Sequence, residues 1–357
     1  MHKEWRPRRC HFIVAPPFRI TGHDLAAAGQ GSGCEHRRSG FVFPAVTPSA
    51  HFTPAPTRFF TKTNSSPTAS PASIGAVTGG LIAGNRPEQR LARLRSFWEL
   101  AAEEDMIFLP FTQTAGRTGK KRSVLTTLFA GRPGLFRPSA PGIWSVLPFG
   151  FTDESVLNTD PQRETLTRLI DFDLLGGGMV PLIVTAVDIE TGEEVAFDSR
   201  RGSLTLDHIM ASTAFPVVFP PVTIGDRTFF DPGIVSNLPL LTLFSKEPQE
   251  EVLCICLDLS PQRGQVPTSL DETVRRRPTC CSEARADALR ELTTLHRARD
   301  GPPITVIHVA YGIQSEEVGL KTFDFSRQSH DMRWEAGRQA ALRLLDAIEN
   351  PPVRRQS

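Results

Sequence analysis

The sequence contains no long hydrophobic run, no paired C-x-x-C motif and no glycine fingerprint for nucleotides. A membrane-spanning helix needs about eighteen consecutive apolar residues, and the best apolar runs here, residues 180–187 and 252–257, have the length of strands. Zinc sites favour paired C-x-x-C spacing, whereas the cysteines alternate at 254 and 256 and are adjacent at 280 and 281. These absences exclude a membrane-spanning protein and predict neither a metal nor a cofactor.

Charge is distributed unevenly along the chain. Residues 1–72 hold nine Lys and Arg against three Asp and Glu, a net charge of +6, although the formal net charge of the whole chain is +1. The same segment holds nine of the 30 prolines and shows little hydrophobic periodicity, so it can bury little apolar surface to offset the entropy of ordering. We interpret residues 1–72 as a disordered, basic, proline-rich leader.

Two functional interpretations of this leader are less favoured. An Arg-rich, acid-poor start is typical of organelle transit peptides, but the prolines disfavour an amphipathic helix, and the apolar core of a secretory signal is missing. Nucleic-acid binding would need the basic side chains gathered on one folded face, which nothing in the segment indicates. We therefore expect a cytoplasmic protein with no nucleic-acid partner.

Buried strands alternate with helices in the rest of the chain. Near-continuous apolar runs predict strands at residues 180–187, 195–197, 227–230, 252–259 and 304–311. Helical spacing or small apolar composition predicts helices at residues 74–83, 85–101, 160–174, 207–214 and 326–348. This alternation predicts an α/β fold, a sandwich in which helices flank a mostly parallel central sheet.

The predicted α/β domain spans residues 73–350, and residues 351–357 form a tail. Within it, residues 107–150 are rich in Gly, Pro and Phe and show no clear period. That composition predicts an irregular excursion that could serve as a lid or cap.

Ser73 opens a helix of small residues, with Gly75 two positions later. In a nucleophile elbow the serine sits on a strained turn between strand and helix, and the N–H groups that follow it, here those of Ile74 and Gly75, face the developing oxyanion. The elbow also has a glycine two positions before the serine, where this chain has Pro71. A serine at this place also suits a helix N-cap, so the sequence leaves both roles open.

Asp231 follows a predicted strand and precedes a glycine turn at Gly233. A carboxylate at the end of a strand is well placed to act as a base in a cleft. An aspartate before a glycine is equally typical of turn capping. The residues alone leave these two roles open as well.

Three sequence blocks together resemble the patatin-like phospholipases. They are residues 73–76 with 81–85, residues 211–216 with 219–222, and residues 230–240, and the likeness continues through residues 323–337. The resemblance implies a patatin-like sandwich in which Ser73 is the nucleophile and Asp231 the base of a Ser-Asp dyad that works without histidine. It implies a serine acyl-ester hydrolase, a phospholipase or esterase of lipid metabolism and lipid degradation. The implied substrate is a lipid or other acyl ester, and a peripheral membrane contact is compatible with it.

The chain departs from this family before Ser73. The family has a hydrophobic strand that runs into the elbow and a glycine-rich loop that forms the oxyanion hole. Here residues 29–33 are glycine-rich but follow no strand, and residues 64–72 are a polar Ser/Pro/Thr run. We predict that the strand and loop are missing or replaced, for instance through a change of reading frame before residue 70. Pro232 and Thr213 also stand where the family has glycine.

These departures bear on activity, because losing one oxyanion donor lowers the rate by about 10²–10³. The alternative to an active hydrolase is therefore a catalytically silent patatin-like protein that binds a lipid or a partner. The sequence leaves the acyl chain, the head group and the oligomeric state undetermined.

Four further residues are weaker candidates. His308 would complete a Ser-Asp-His triad, but it lies in an apolar strand, where a core histidine is the commoner role. Asp188 and Asp258 stand near strand ends, where they either line a cleft or cap a turn. Asn237 is a candidate to orient Asp231 or the substrate.

Overall fold

A computed structural model describes most of the chain after residue 65 and two short segments before it. The described residues are 11–12, 38–43, 66–102, 117–140, 142, 153–177, 180–234, 239–244, 252–258, 266–269, 271–273, 302, 304–310 and 321–349.

The described part of the chain alternates strands and helices. The strands β1 to β11 are, in chain order, His11–Phe12, Arg38–Phe43, Ser66–Pro71, Arg137–Pro138, Leu157–Asn158, Ile183–Asp188, Glu194–Asp198, Val222–Ile224, Arg227–Phe230, Val252–Asp258 and Ile304–Ala310. The α-helices α1 to α8 are Ile74–Ala83, Pro87–Ala102, Arg117–Ala130, Asp160–Leu169, Phe172–Gly177, Leu206–Thr213, Leu240–Leu243 and Arg327–Glu349.

Strand β3 links a parallel and an antiparallel sheet. Strands β1, β2 and β3 pair in parallel in that order, and β10 pairs in parallel with β11. Strands β7, β6, β9 and β8 form an antiparallel sheet in that order. Two parallel bridges, Ala69 to Leu182 and Ala72 to Thr185, join β3 to β6. Asp231, which directly follows β9, is therefore brought towards the end of β3 through β6.

The α/β class predicted from the sequence is confirmed, with the antiparallel sheet as an addition to the predicted parallel one. The strands predicted at residues 180–187 and 195–197 correspond to β6 and β7, which pair in antiparallel fashion. The prediction of irregular structure over residues 107–150 is wrong for α3, which spans Arg117–Ala130. Lys120 and Thr127 lie on the buried side of this helix, so its sequence lacks the apolar period by which helices are predicted.

The sequence before Ser73 predicts no strand entering the elbow, and this prediction is wrong. Strand β3 spans Ser66–Pro71 and ends two residues before Ser73. Its residues have low strand propensity, but Ala69, Ser70 and Ala72 are each at most 1% exposed. Propensity is a weak guide in this position because burial and pairing with neighbouring strands decide the conformation.

The predicted disordered leader also includes β1 and β2, which the structure describes as strands. The rest of that leader, including the glycine-rich residues 29–33, lies outside the described residues, and so does the tail 351–357. Within the described part of the chain, no helix has both the length and the apolar character needed to cross a membrane.

Candidate active site

Ser73 occupies a strained turn between β3 and α1. Its backbone angles are φ 54° and ψ −133°, a left-handed region that costs a non-glycine residue about 1–3 kcal/mol. The turn is closed by the Gly75 N–H, which donates to the Ala72 carbonyl at 3.0 Å. Ser73 is at the N-cap position, but its hydroxyl makes no capping hydrogen bond. The N-cap role is therefore wrong for this side chain, and the elbow geometry predicted from the sequence is present.

The strand and helix of the elbow cross closely although residue 71 is proline. The close approach comes from the helix instead, because a Cβ at Gly79 would fall 2.9 Å from Pro71 Cγ and 2.8 Å from Leu182 Cδ1. Residue 71 is thus not the glycine that an elbow has there. The small residue that allows the close crossing is instead Gly79, about one and a half turns along α1.

The Ser73 hydroxyl donates a hydrogen bond to Asp231 Oδ2, across 158 positions of sequence. The other carboxylate oxygen, Oδ1, accepts the Gly233 N–H at 2.7 Å. Ser73 is 7% exposed and Asp231 is 2% exposed. The turn-capping role considered for Asp231 is therefore observed at one oxygen, and the other oxygen contacts the serine.

Helix α6 and the residues after it hold both members of this pair. The Ser73 N–H donates to Ser212 Oγ at 2.9 Å, and the Asp231 N–H donates to the Ala214 carbonyl at 3.0 Å. Ser212 is completely buried. The sequence analysis places it in a resembling block but gives it no role, because a serine among small residues indicates close packing as readily as a hydrogen bond.

Burial raises the pKa of Asp231 to about 7, against an ordinary value of 3.8. The hydrogen bonds from the Ser73 hydroxyl and the Gly233 N–H stabilise the ionised form and partly offset this rise. A carboxyl with this pKa exists in both protonation states near neutral pH, which suits a group that must accept and then return a proton.

The two residues that replace family glycines fit their positions. Pro232 begins the 3-10 helix Pro232–Ile234, where the fixed φ of proline is suitable. Thr213 ends α6, and its hydroxyl donates to the Met210 carbonyl at 3.1 Å. Among the described residues other than glycine, only Ser73 and Val217 have positive φ, so residue 213 does not require glycine.

The two residues after Ser73 differ in what their N–H groups contact. The Gly75 N–H is engaged by the Ala72 carbonyl. The Ile74 N–H belongs to the first residue of α1, where helix geometry supplies no intrahelical acceptor. Of the pair, Ile74 is thus the better placed to donate towards a bound group.

The weaker candidates lie elsewhere or outside the described residues. Asp188 caps the β6–β7 turn by accepting the N–H groups of Glu190 and Thr191, each at 2.9 Å, and it accepts from Arg227 Nε at 2.6 Å. Its turn-capping role is thus the one observed. Asn237 is outside the described residues. The side chains of His308 and Asp258, which lie on β11 and β10, are not described either.

The chain matches two related family models. One, described as patatin-like phospholipase, matches residues 70–244, and the other, described as patatin phospholipase, matches residues 272–356. The crystal structure of VipD from Legionella pneumophila aligns with 98% of this chain and 72% of its own, at 16% identity and a TM-score of 0.43. The first match begins in β3 and includes Ser73, Ser212 and Asp231. The chain belongs to the patatin-like phospholipase family.

Proposed function

We propose that this chain hydrolyses acyl esters of lipids with Ser73 as nucleophile and Asp231 as general base. Membership of the family supports lipid hydrolysis as the general activity. The observation that carries the specific proposal is the hydrogen bond from the Ser73 hydroxyl to the buried Asp231 carboxylate. A serine on a strained turn that faces a base rather than capping its helix is the arrangement an activated nucleophile requires.

In the first half-reaction Asp231 takes the hydroxyl proton as Ser73 Oγ attacks the carbonyl carbon of the ester. The tetrahedral adduct collapses when its C–O bond to the alcohol breaks, and Asp231 returns the proton to the departing alkoxide. The product alcohol leaves, and the acyl group remains on Ser73 Oγ.

In the second half-reaction water attacks the acyl carbonyl while Asp231 accepts a water proton. The bond from the carbonyl carbon to Ser73 Oγ then breaks, and the proton passes to Oγ. The products are a fatty acid and the free serine. No redox step or metal is needed in either half, and the pKa of about 7 allows one carboxyl to serve as base and acid in turn.

Both adducts place negative charge on the former carbonyl oxygen. The N-terminus of α1 stabilises such charge through its helix dipole and through an N–H group that has no intrahelical acceptor. That group is the Ile74 N–H, directly after the nucleophile, since the N–H groups of Gly75 and Ala76 are bonded to the carbonyls of Ala72 and Ser73. We propose it as one oxyanion donor.

Replacing Ser73 with alanine tests the nucleophile. We expect Ser73→Ala to lower hydrolysis of a short-chain, water-soluble ester by at least about 10³-fold. Ser70→Ala is the matched control, because Ser70 lies in β3, three residues before Ser73, and its buried hydroxyl makes no hydrogen bond to the described residues. A fluorophosphonate ester should label the parent chain and the Ser70 variant but not the Ser73 variant.

Two results would contradict the proposal. Hydrolysis by Ser73→Ala at the parent rate would mean that another group is the nucleophile. A parent chain that neither cleaves esters nor reacts with the fluorophosphonate would instead favour the catalytically silent, lipid-binding alternative. Rate loss in Ser70→Ala equal to that in Ser73→Ala would point to unfolding rather than lost chemistry.

A further inference from the structure

Helix α3 exposes large apolar side chains on the side that faces away from the core. Leu125 and Phe129 are four residues apart, so they share one face of the helix, and they are 56% and 63% exposed. Val124 and Thr127, on the other side, are buried. A helix face with large apolar residues left in water indicates an interaction surface.

The loop between α6 and β8 packs against α3 through a small apolar core. The small core beneath it contains Val124 of α3, with Leu128 and Val218 packed against it. Val217, next to Val218, is 69% exposed and has a φ of 72°, a conformation that a β-branched residue rarely adopts. Packing does not explain a strained valine that points into water, so it supports a functional role for this surface.

The exposed apolar surface lies close in the chain and in the fold to Asp231. The Ala214 carbonyl accepts the Asp231 N–H, and only two residues separate Ala214 from Val217. The carbonyls of Val217 and Val218 accept the N–H groups of Val156 and Leu157, both at 2.9 Å. These hydrogen bonds fix the position of the loop beside Asp231.

The charge on α3 favours an anionic partner. The helix contains four basic residues, Arg117, Lys120, Lys121 and Arg122, and no acidic one. Lys120 is buried, and the Lys121 ammonium lies 3.7 Å from the carboxylate of Asp271, which offsets part of the charge. Lys121, whose side chain is 56% exposed, lies one turn before Leu125, so Lys121, Leu125 and Phe129 form one stripe that begins with a cation and continues with two apolar side chains. Helices that lie on anionic bilayers combine these same two features.

We infer that Leu125, Phe129 and Val217 form a surface that docks this protein on an anionic phospholipid bilayer, with Lys121 contacting the head groups. The inference deepens the proposed function and rests on it, because a lipid hydrolase must reach an ester held in a membrane. Docking through Val217 places the loop whose Ala214 carbonyl accepts the Asp231 N–H near the plane in which that ester lies. Its test is a binding measurement that requires no catalysis, so its failure is distinct from failure of the ester assay.

Co-sedimentation with vesicles tests the surface in the full chain. We expect the parent chain to bind vesicles of equal parts phosphatidylcholine and phosphatidylglycerol, to bind pure phosphatidylcholine less, and to lose affinity as salt is raised. The double variant L125E/F129E should lower binding to the mixed vesicles by at least about tenfold, because the apolar side chains of Leu125 and Phe129 are then no longer transferred from water into the bilayer. Leu342→Glu is the matched control, since Leu342 is 44% exposed on the separate helix α8.

The supporting result is loss of vesicle binding in L125E/F129E, with binding retained by Leu342→Glu and with the soluble-ester rate unchanged in both. Equal binding by L125E/F129E and the parent overturns the inference, as does equal loss in Leu342→Glu. Absence of binding of the parent chain to the mixed vesicles overturns the inference too. So does an L125E/F129E variant whose only effect is to dissociate an oligomer. Should L125E/F129E fail to fold by circular dichroism, L125A/F129A is the second variant, and unchanged binding by it overturns the inference.

Discussion

At the scale of single residues, the proposed mechanism requires the carboxyl of Asp231 to be ionised before it can act as a base. Burial raises the pKa of Asp231 to about 7, so the group is protonated below that pH and cannot accept the Ser73 proton. We expect kcat/KM for a soluble ester to rise about tenfold per pH unit on the acid side and to level off above pH 7. A pH series with a short-chain ester measures this directly.

Histidine also titrates near pH 7, so the pH series needs a control for the less favoured Ser-Asp-His triad. His308→Gln should keep the rate and the profile of the parent chain if Asp231 is the base. Loss of the pH-dependent limb in His308→Gln would favour the triad instead. A profile with its midpoint near pH 4 would show that Asp231 is not desolvated in the working enzyme.

Ser212 is expected to act as a positioning residue. Its hydroxyl accepts the N–H of Ser73, so it holds the nucleophile in its strained conformation. Ser212→Ala leaves a buried N–H unpaired, which costs about 1–3 kcal/mol. We expect kcat to fall by about 10-fold to 100-fold with KM little changed, since the attack geometry is lost rather than substrate contact. Steady-state kinetics on the soluble ester separates the two constants.

Ser199→Ala is a matched control for this variant. Ser199 is also buried, and its hydroxyl also accepts a backbone N–H, that of Leu182 at 3.0 Å. The two variants should lose similar stability in urea unfolding, but only Ser212→Ala should lose kcat. A parallel fall of kcat in both would reduce Ser212 to a purely structural residue.

At the scale of elements, the crossing of α1 over β3 depends on Gly79. A methyl group at this position would lie 2.9 Å from Pro71 Cγ and 2.8 Å from Leu182 Cδ1, closer than packed carbon atoms lie. Alanine has the higher helix propensity by up to about 1 kcal/mol, but overpacking a tight crossing costs about 1–3 kcal/mol. We expect Gly79→Ala to lower the free energy of unfolding in urea and, by shifting the end of β3, to lower kcat.

Gly176→Ala provides the comparison, since Gly176 lies in α5 and a Cβ there would meet nothing within 4 Å. That variant should be neutral or slightly more stable. If Gly79→Ala were equally neutral, the strand would have room to move and Gly79 would not set the crossing.

The elements predicted best from the sequence are those whose residues show a single hydrophobic periodicity or a continuous apolar run. Strand β9 is predicted at residues 227–230, where the structure has Arg227–Phe230, and α8 is predicted within one residue at each end. Strand β3 was missed because Ser, Pro, Thr and Ala neither alternate nor form an apolar run. Its strand conformation depends on the buried bridges to Leu182 and Thr185. These contacts exist only after folding.

At the scale of the whole molecule, composition and spacing alone could not pair Ser73 with Asp231. The two residues are 158 positions apart, and each suited a local capping role as well. Family resemblance supplied the pairing. The contact itself depends on β3 joining β6, on β6 joining β9, and on α6 holding both residues from one side.

The buried carboxylate should also make the stability of the whole molecule depend on pH. The folded pKa of Asp231, about 7, exceeds its ordinary value of 3.8, so folding favours the protonated form. Below pH 4 both states are protonated and there is no cost. Between pH 4 and 7 the unfolded chain ionises first, so stability falls as pH rises, and the cost levels off above pH 7. The full shift corresponds to at most about 4 kcal/mol.

Asp231→Asn removes this cost while keeping the shape of the side chain. We expect the variant to unfold at higher urea than the parent chain at pH 8, with the two converging at pH 4. Asp198→Asn should show the opposite sign. Burial tends to raise the pKa of Asp198, but hydrogen bonds from Arg200 outweigh it and leave that pKa below its ordinary value. The stability that Asp198 contributes is thus present near neutral pH and lost as pH falls. An Asp231→Asn variant no more stable than the parent at pH 8 would mean that solvent reaches the carboxylate and that its pKa is ordinary.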